Sequence, residues 1–277
     1  MIKMSFGIGF TAKNTQSTKP RTECTEVPPQ SAARKSVVQV YFEKRGMNLP
    51  YYNDKFDLHE GDIVYVDGKL EGLRGIVTYV SCNFKIKLSD YKRVISVADT
   101  NIKGRFYTGP SVFMAFDRNA LPKNKVTSWF KAPEPDAAGE EIICGSDGTS
   151  FALEKLEKTD IDCAAADRGI DYYAEHKVKY ICLDGTHGYA LIEGSKMYDV
   201  EFEYACGQIS GLVCSCYCSG KCKHEYAAML ALREILKEIE KTYSKQYELS
   251  GYFAAVDKMT FLAYAIDFGK PNCITLD

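Results

Sequence analysis

The chain has 277 residues, 45% hydrophobic and 26% charged, which is the balance of a globular protein of one or two domains and not of a disordered one. No stretch approaches the roughly 18–20 uninterrupted apolar residues of a membrane helix, since the best candidate, residues 252–268, is broken by Asp257-Lys258, so no membrane partner is expected. The net charge of −2 hides a split: residues 1–125 hold 20 Lys/Arg against 12 Asp/Glu and residues 126–277 hold 15 against 25, which points to two modules with different surfaces.

In chain order, residues 1–10 are apolar but carry no small-residue cleavage site, so no secretory signal is expected. Residues 11–36 are rich in Thr, Ser, Pro and charge and cannot bury enough apolar surface to offset ordering, so 1–36 reads as a flexible tail. Residues 37–125 read as a small all-β, barrel-like domain. Short β-branched or aromatic runs at 37–42, 63–66, 75–80, 84–88 and 94–97 predict strands, separated by turn residues such as Asp67-Gly68 and Gly72. Alternation turns Phe84, Ile86 and Leu88 toward a core and Lys85 and Lys87 toward water. Five short strands favour a small barrel or rolled sheet, because a flat sheet leaves edges and one face uncovered.

Lys85, Lys87, Lys92 and Arg93 are the candidate nucleic-acid-binding residues. They lie in the densest basic stretch, interleaved with Tyr91, Phe106 and Tyr107, and aromatic platforms among cations suit single strands. The competing reading makes the aromatics core and the lysines solubilising.

Residues 126–160 read as a linker, with Pro133 and Pro135 at its centre. Asp160, Asp162, Asp167 and Asp171 cluster next; they could hold Mg²⁺ for phosphoryl chemistry or mark a solvated helix start. The chain carries no phosphate-loop, H-E-x-x-H or G-x-S-x-G motif, so it is not expected to be an enzyme. His187, in Gly185-Thr-His-Gly188, reads as a turn residue.

Eleven cysteines, five of them between 206 and 222, suit a metal site in a reducing, cytoplasmic setting better than a disulfide framework. Cys163, Cys182 and Cys206 read as small buried hydrophobes. The sharpest signal is Cys214-Ser-Cys216-Tyr-Cys218-Ser-Gly-Lys-Cys222-Lys-His224. Two cysteines two apart on a strand face the same way, Gly220 lets the chain turn back, and Cys222 and His224 arrive as a helix begins. Three thiolates and an imidazole satisfy tetrahedral Zn²⁺, and Cys218 could replace one of them. The helix is expected over 225–241, with Ala228, Leu232, Ile235, Leu236 and Ile239 inward and Arg233, Glu234, Lys237, Glu238 and Lys241 solvated.

Cys-x-Cys, a short loop, and Cys-x-His leading into an apolar helix resemble the SWIM zinc finger. Arg168-Gly169-x-x-Tyr172, the strand 178–183 and the run 190–200 look like the segment that precedes that finger, so the resemblance covers about residues 165–240. It implies a β-β-α zinc module over 161–242, with Cys214, Cys216, Cys222 and His224 as ligands, DNA or protein interaction, and any catalysis residing elsewhere. Residues 243–277 are expected as a helical tail with a helix around 256–265. The fold class is therefore α+β. Two functions follow: an accessory protein whose Lys85, Lys87, Lys92 and Arg93, with Lys221 and Lys223, contact phosphates, or an adaptor that docks a helicase or recombinase as its protein partner.

Overall fold

The computed structural model describes residues 33–132, 145, 148–216, 218, 220–265 and 273–277. The expected tail up to residue 32 and residues 133–144, 146 and 147 of the expected linker lie outside these residues; the rest of 126–160 is not a plain linker but includes the end of a helix, a short strand and a 3-10 segment, and Ser36 already starts the first strand. β1 (Ser36–Phe42) buries Val38, Val40 and Phe42 and turns Gln39 and Tyr41 outward. β2 (Met47–Asn53) follows a single 3-10 turn; the sequence does not announce it, because Asn48 and Pro50 interrupt its pattern, and it sits at a sheet edge, where proline is tolerated. β3 (Ile63–Val66), β4 (Gly75–Ser81) and β5 (Val94–Val97) complete an antiparallel sheet in the order β2-β1-β4-β3-β5.

This sheet rolls but does not close into the expected barrel. Its edges touch at one bridge, Tyr52 to Arg93, where Tyr52 N–H donates to the Lys92 carbonyl at 2.8 Å; a barrel needs a continuous ladder there. Residues 84–88 are not the expected strand. They run as a loop into a 3-10 turn, with Phe84 edge-on to Tyr52 at 6.1 Å and Leu88 47% exposed. A loop crossing a sheet edge can dip alternate side chains as a strand does, so the pattern is present without the hydrogen bonds.

The second sheet begins inside the segment expected to belong to the first. β6 (Lys103–Thr108) and β7 (Val112–Ala115) lead to α1 (Lys123–Ser128), then β8 (Phe151–Ala152), a 3-10 segment over Leu153–Lys158 and α2 (Cys163–Ala174). An antiparallel meander follows: β9 (Val178–Asp184), β10 (His187–Glu193), β11 (Met197–Ala205) and β12 (Gln208–Cys214). After α3 (Lys223–Glu238) come a π-helical turn (Ile239–Tyr243), α4 (Ser244–Ser250), β13 (Tyr252–Asp257), α5 (Lys258–Ala265) and β14 (Cys273–Leu276). Among the described residues these strands form one nine-stranded sheet, β14-β6-β7-β13-β9-β10-β11-β12-β8, antiparallel except for β14 on β6.

β13 holds this sheet together. All six of its residues are buried, and it pairs with β7 on one side and β9 on the other. The helix expected around 256–265 is α5, but the residues before it are a central strand. A strand covered on both faces is a continuous apolar run, and periodicity alone does not separate that from a buried helix.

One face of the sheet carries Ile181, Leu183, Ile192 and Phe253 against Ala227, Ala228 and Leu232 of α3. The other carries Tyr180, Tyr189, Leu191 and Val256 against Trp129 and Phe261, and also meets Ile63 and Ala98 from the first sheet. No helix among the described residues is long and apolar enough to cross a membrane.

Gly188 shows how tightly the meander packs. A Cβ there would meet the Phe202 ring at 2.0 Å. Gly188→Ala is therefore expected to destabilise the chain by about 1–3 kcal/mol, read as a lower urea midpoint at unchanged slope.

Candidate metal centre

The centre sits where the β11–β12 hairpin hands over to α3. Cys206-Gly207 makes the two-residue turn with both φ positive (48° and 77°), as a type I′ hairpin requires. β12 ends at Cys214, opposite Val200. The strand does not continue to Cys216, contrary to the expectation. Instead Ser215 is pinned back on Asp199: Ser215 N–H donates to the Asp199 carbonyl and Asp199 N–H to Ser215 Oγ, both at 2.9 Å. That clamp leaves Cys214 and Cys216 on the same side.

Cys222 is the N-cap of α3. Its N–H donates to Glu225 Oε2 at 2.7 Å, and its Sγ accepts from Glu225 N–H at 3.5 Å, a capping box with cysteine in the place of serine or threonine. His224 lies in the first helical turn and is buried. Its ring stacks on Tyr198 (centroids 4.1 Å apart, 21° between planes) and meets Tyr172 at 5.5 Å in a T-shaped contact. Two tyrosines thus orient the imidazole, and Nε2 is buried without a hydrogen-bond partner.

The ligand atoms of Cys214, Cys216, Cys222 and His224 all lie within 4.8 Å of one another. His224 Nδ1 is 3.7 Å from Sγ of both Cys214 and Cys222. A tetrahedral zinc site, with bonds of about 2.3 Å to sulfur and 2.0–2.1 Å to nitrogen, has S–N edges of about 3.6 Å. The quartet therefore has the size and donor set to hold a metal ion. Its thiols cannot all ionise alone: Cys222 is held below the usual thiol range chiefly by the hydrogen bond from Cys214, whose own thiol that same bond and burial push up. Burial pushes Cys216 up to about 11 and, with the Cys222 charge, Glu225 up to about 7. A divalent cation lets all three sulfurs ionise together.

Around the quartet, α2 packs on α3 through Gly169, where a Cβ would meet Tyr226 Cβ at 2.8 Å and the Lys223 carbonyl at 3.0 Å. That approach brings Tyr172 to His224. Lysines seat on the neighbouring rings: Lys223 and Lys177 lie 4.6 and 4.4 Å from the Tyr172 centroid, and Lys221 lies 5.4 Å from that of Phe151.

Cys218 is exposed and outside the quartet. Cys182 is buried as expected, but Cys163 and Cys206 are exposed, because one opens α2 and the other occupies the hairpin turn. The eight cysteines whose side chains are described are all free thiols. Asp162 caps α2, accepting from Ala165 N–H at 3.2 Å, while Asp160, Asp167 and Asp171 join no metal-type cluster among the described residues. His187 starts β10 and bonds Glu203 instead of sitting in the turn. Arg233, expected in solvent, is largely covered and ion-paired with Glu157.

The expected nucleic-acid set lies on the first sheet and divides. Lys85 and Lys87 lie in the loop after β4, and Lys92 sets its stem against Gly68. Arg93 is not a free cation: it pairs with Asp54 and lies 5.4 Å from the Tyr52 ring. Phe106 is fully buried and Tyr107 packs on Phe116 and Tyr243, so these two aromatics are core.

Sequence reasoning names the four residues that the structure brings together but misses Tyr198, the Ser215–Asp199 clamp and the role of Glu225. Only the last leaves a signal, the Cys222-x-x-Glu225 spacing of a capping box. No family model matches the sequence, and no curated protein or solved structure matches it significantly.

Metal content gives the check. Cys216→Ser, Cys222→Ser and His224→Ala are each expected to abolish the roughly one equivalent of metal bound per chain, measured by elemental analysis, while Cys218→Ser retains it.

Proposed function

We propose that this chain is a non-enzymatic, cytoplasmic accessory protein, in which a SWIM-type β-β-α module built on a structural zinc ion supports nucleic-acid binding. The observation that carries this reading is the converged quartet. Four protein donors fill a tetrahedral ion and leave no open position for a reacting water, which is the pattern of structural and not catalytic zinc. Comparable small sites supply on the order of 10 kcal/mol of folding free energy. Here that energy would act locally, at Cys214, Cys216 and the first turn of α3, because the rest of α3 is already anchored in the sheet core.

The nucleic-acid part rests on cations beside the quartet. Lys221 and Lys223, with Lys196 5.7 Å from the Tyr198 centroid, give the site a positive rim within the acidic half of the chain, while Lys177 is paired with Glu175. Lys85, Lys87 and Lys92 would extend such contacts on the first sheet. The excess of carboxylates in residues 126–277 favours a second reading, an adaptor for a basic protein partner such as a helicase or recombinase.

Titration of the zinc-loaded protein against single- and double-stranded DNA at two salt concentrations decides between them. Phosphate binding is expected to weaken steeply with salt, and Lys221→Ala and Lys223→Ala each to make the log–log slope shallower by about 1. Absence of binding at low salt rejects the nucleic-acid reading. Chelation is expected to raise amide exchange at the start of α3 while β9–β13 stay protected; unchanged exchange there rejects a structural role for the metal.

A further inference from the structure

Two to four helical turns beyond the metal centre, α3 covers a second feature. Between it and strands β7, β9 and β13 lies a cavity of about 180 Å³, larger than the roughly 150 Å³ that accommodates benzene in an apolar protein interior. Its interior is apolar: Met114, Val178, Ile181, Ala231, Ile235 and Ala255. Its polar lining is mixed: Asp257, His176, Glu234 and Glu238 as acceptors, Lys237 and Lys241 as cations.

Asp257 is only 2% exposed. One of its oxygens, Oδ2, accepts from Thr260 N–H at 3.0 Å and Thr260 Oγ1 at 3.1 Å, which fixes the carboxylate. The other, Oδ1, faces His176 Nδ1 at 3.5 Å, longer than a good hydrogen bond, and so keeps acceptor capacity. His176 itself stands where glycine is usual. It lies just past the end of α2, at φ +54°, in a paired turn in which His176 N–H donates to the Tyr173 carbonyl and Lys177 N–H to that of Tyr172. An imidazole there, in place of the unstrained glycine, sets a ring at the cavity mouth. Lys237 is turned to Glu234 at 3.2 Å, which Arg233 also meets at 3.7 Å, and Lys241 is exposed, so the one fixed and buried carboxylate in the lining is Asp257.

We propose that this cavity binds a small primary amine, its aryl or short alkyl group in the apolar interior and its ammonium on Asp257 Oδ1, with the His176 ring flanking it. The occupant is an arylalkylamine-sized cation, because the volume admits one ring and the fixed, buried group at the mouth is a carboxylate.

The test is a titration of the full chain, labelled at the methionine methyls so that Met114 reports, with 2-phenylethylamine, phenylacetate and 2-phenylethanol. The amine is expected to shift Met114 with a dissociation constant of about 1 mM or tighter, and phenylacetate to bind at least about tenfold more weakly. Asp257→Asn keeps an acceptor for Thr260 and should weaken the amine at least about tenfold while leaving the alcohol unchanged. Ala231→Leu fills the cavity and should remove both. His176→Gly relieves the left-handed position, so it should raise the melting temperature yet weaken the amine. Equal binding of phenylacetate, a Met114 methyl that no probe moves, or unchanged amine binding in Asp257→Asn or His176→Gly overturns the assignment.

Discussion

Everything at the metal centre depends on where α3 begins. Ten of its sixteen residues are buried, and Ala227, Ala228, Leu232 and Ile235 lock it against the nine-stranded sheet. Truncating a buried leucine or isoleucine of this kind to alanine typically costs about 2–5 kcal/mol, so the helix cannot slide or rotate cheaply. Its first turn is therefore fixed relative to the end of β12, and the distance from Cys222 and His224 to Cys214 is set by the core and not by the loop between them. Gly169 adds the lateral constraint. With no Cβ it lets α2 approach closely enough for Tyr172 to touch the imidazole.

The capping box joins helix chemistry to metal chemistry. Cys222 Sγ already receives the N–H of Glu225 at a helix N-terminus, where peptide dipoles favour negative charge. The Cys222 thiol is held below its usual range chiefly by its hydrogen bond with Cys214, and the Glu225 N–H acts in the same direction. The charge of three sulfurs in one site would otherwise be costly. It would be met by the helix end, by the cation the quartet could hold and, further out, by lysines resting on aromatic faces.

Charge elsewhere is more evenly matched than the split between halves implies. Arg118 pairs with Asp184, Lys123 with Glu201 and Lys131 with Asp199, all linking distant parts of the chain across the second sheet. Exposed pairs of this kind contribute at most about 1 kcal/mol each. Their larger effect is to remove lysines and arginines from the pool available to an anionic partner. Arg93, as basic in sequence as its neighbours Lys85 and Lys87, is held by Asp54 in this way.

What the sequence determined by itself was local. The ligand spacing, the apolar period of α3 and the strands at 63–66 and 94–97 were legible because short-range alternation and cysteine chemistry need no distant partner. The capping box at Cys222-x-x-Glu225 went unread, because cysteine is an unusual residue in the capping position. Tertiary structure decided the rest. Whether the first sheet closed depended on edges meeting, and they meet at one bridge. Whether 252–257 was helix or strand depended on β7 and β9 lying ready on either side, since a segment buried on both faces has no polar face to betray its period. For the same reason β6 and β7, which a boundary drawn from composition assigns to the first module, belong to the second: strand pairing follows distant partners, and no window of sequence contains them.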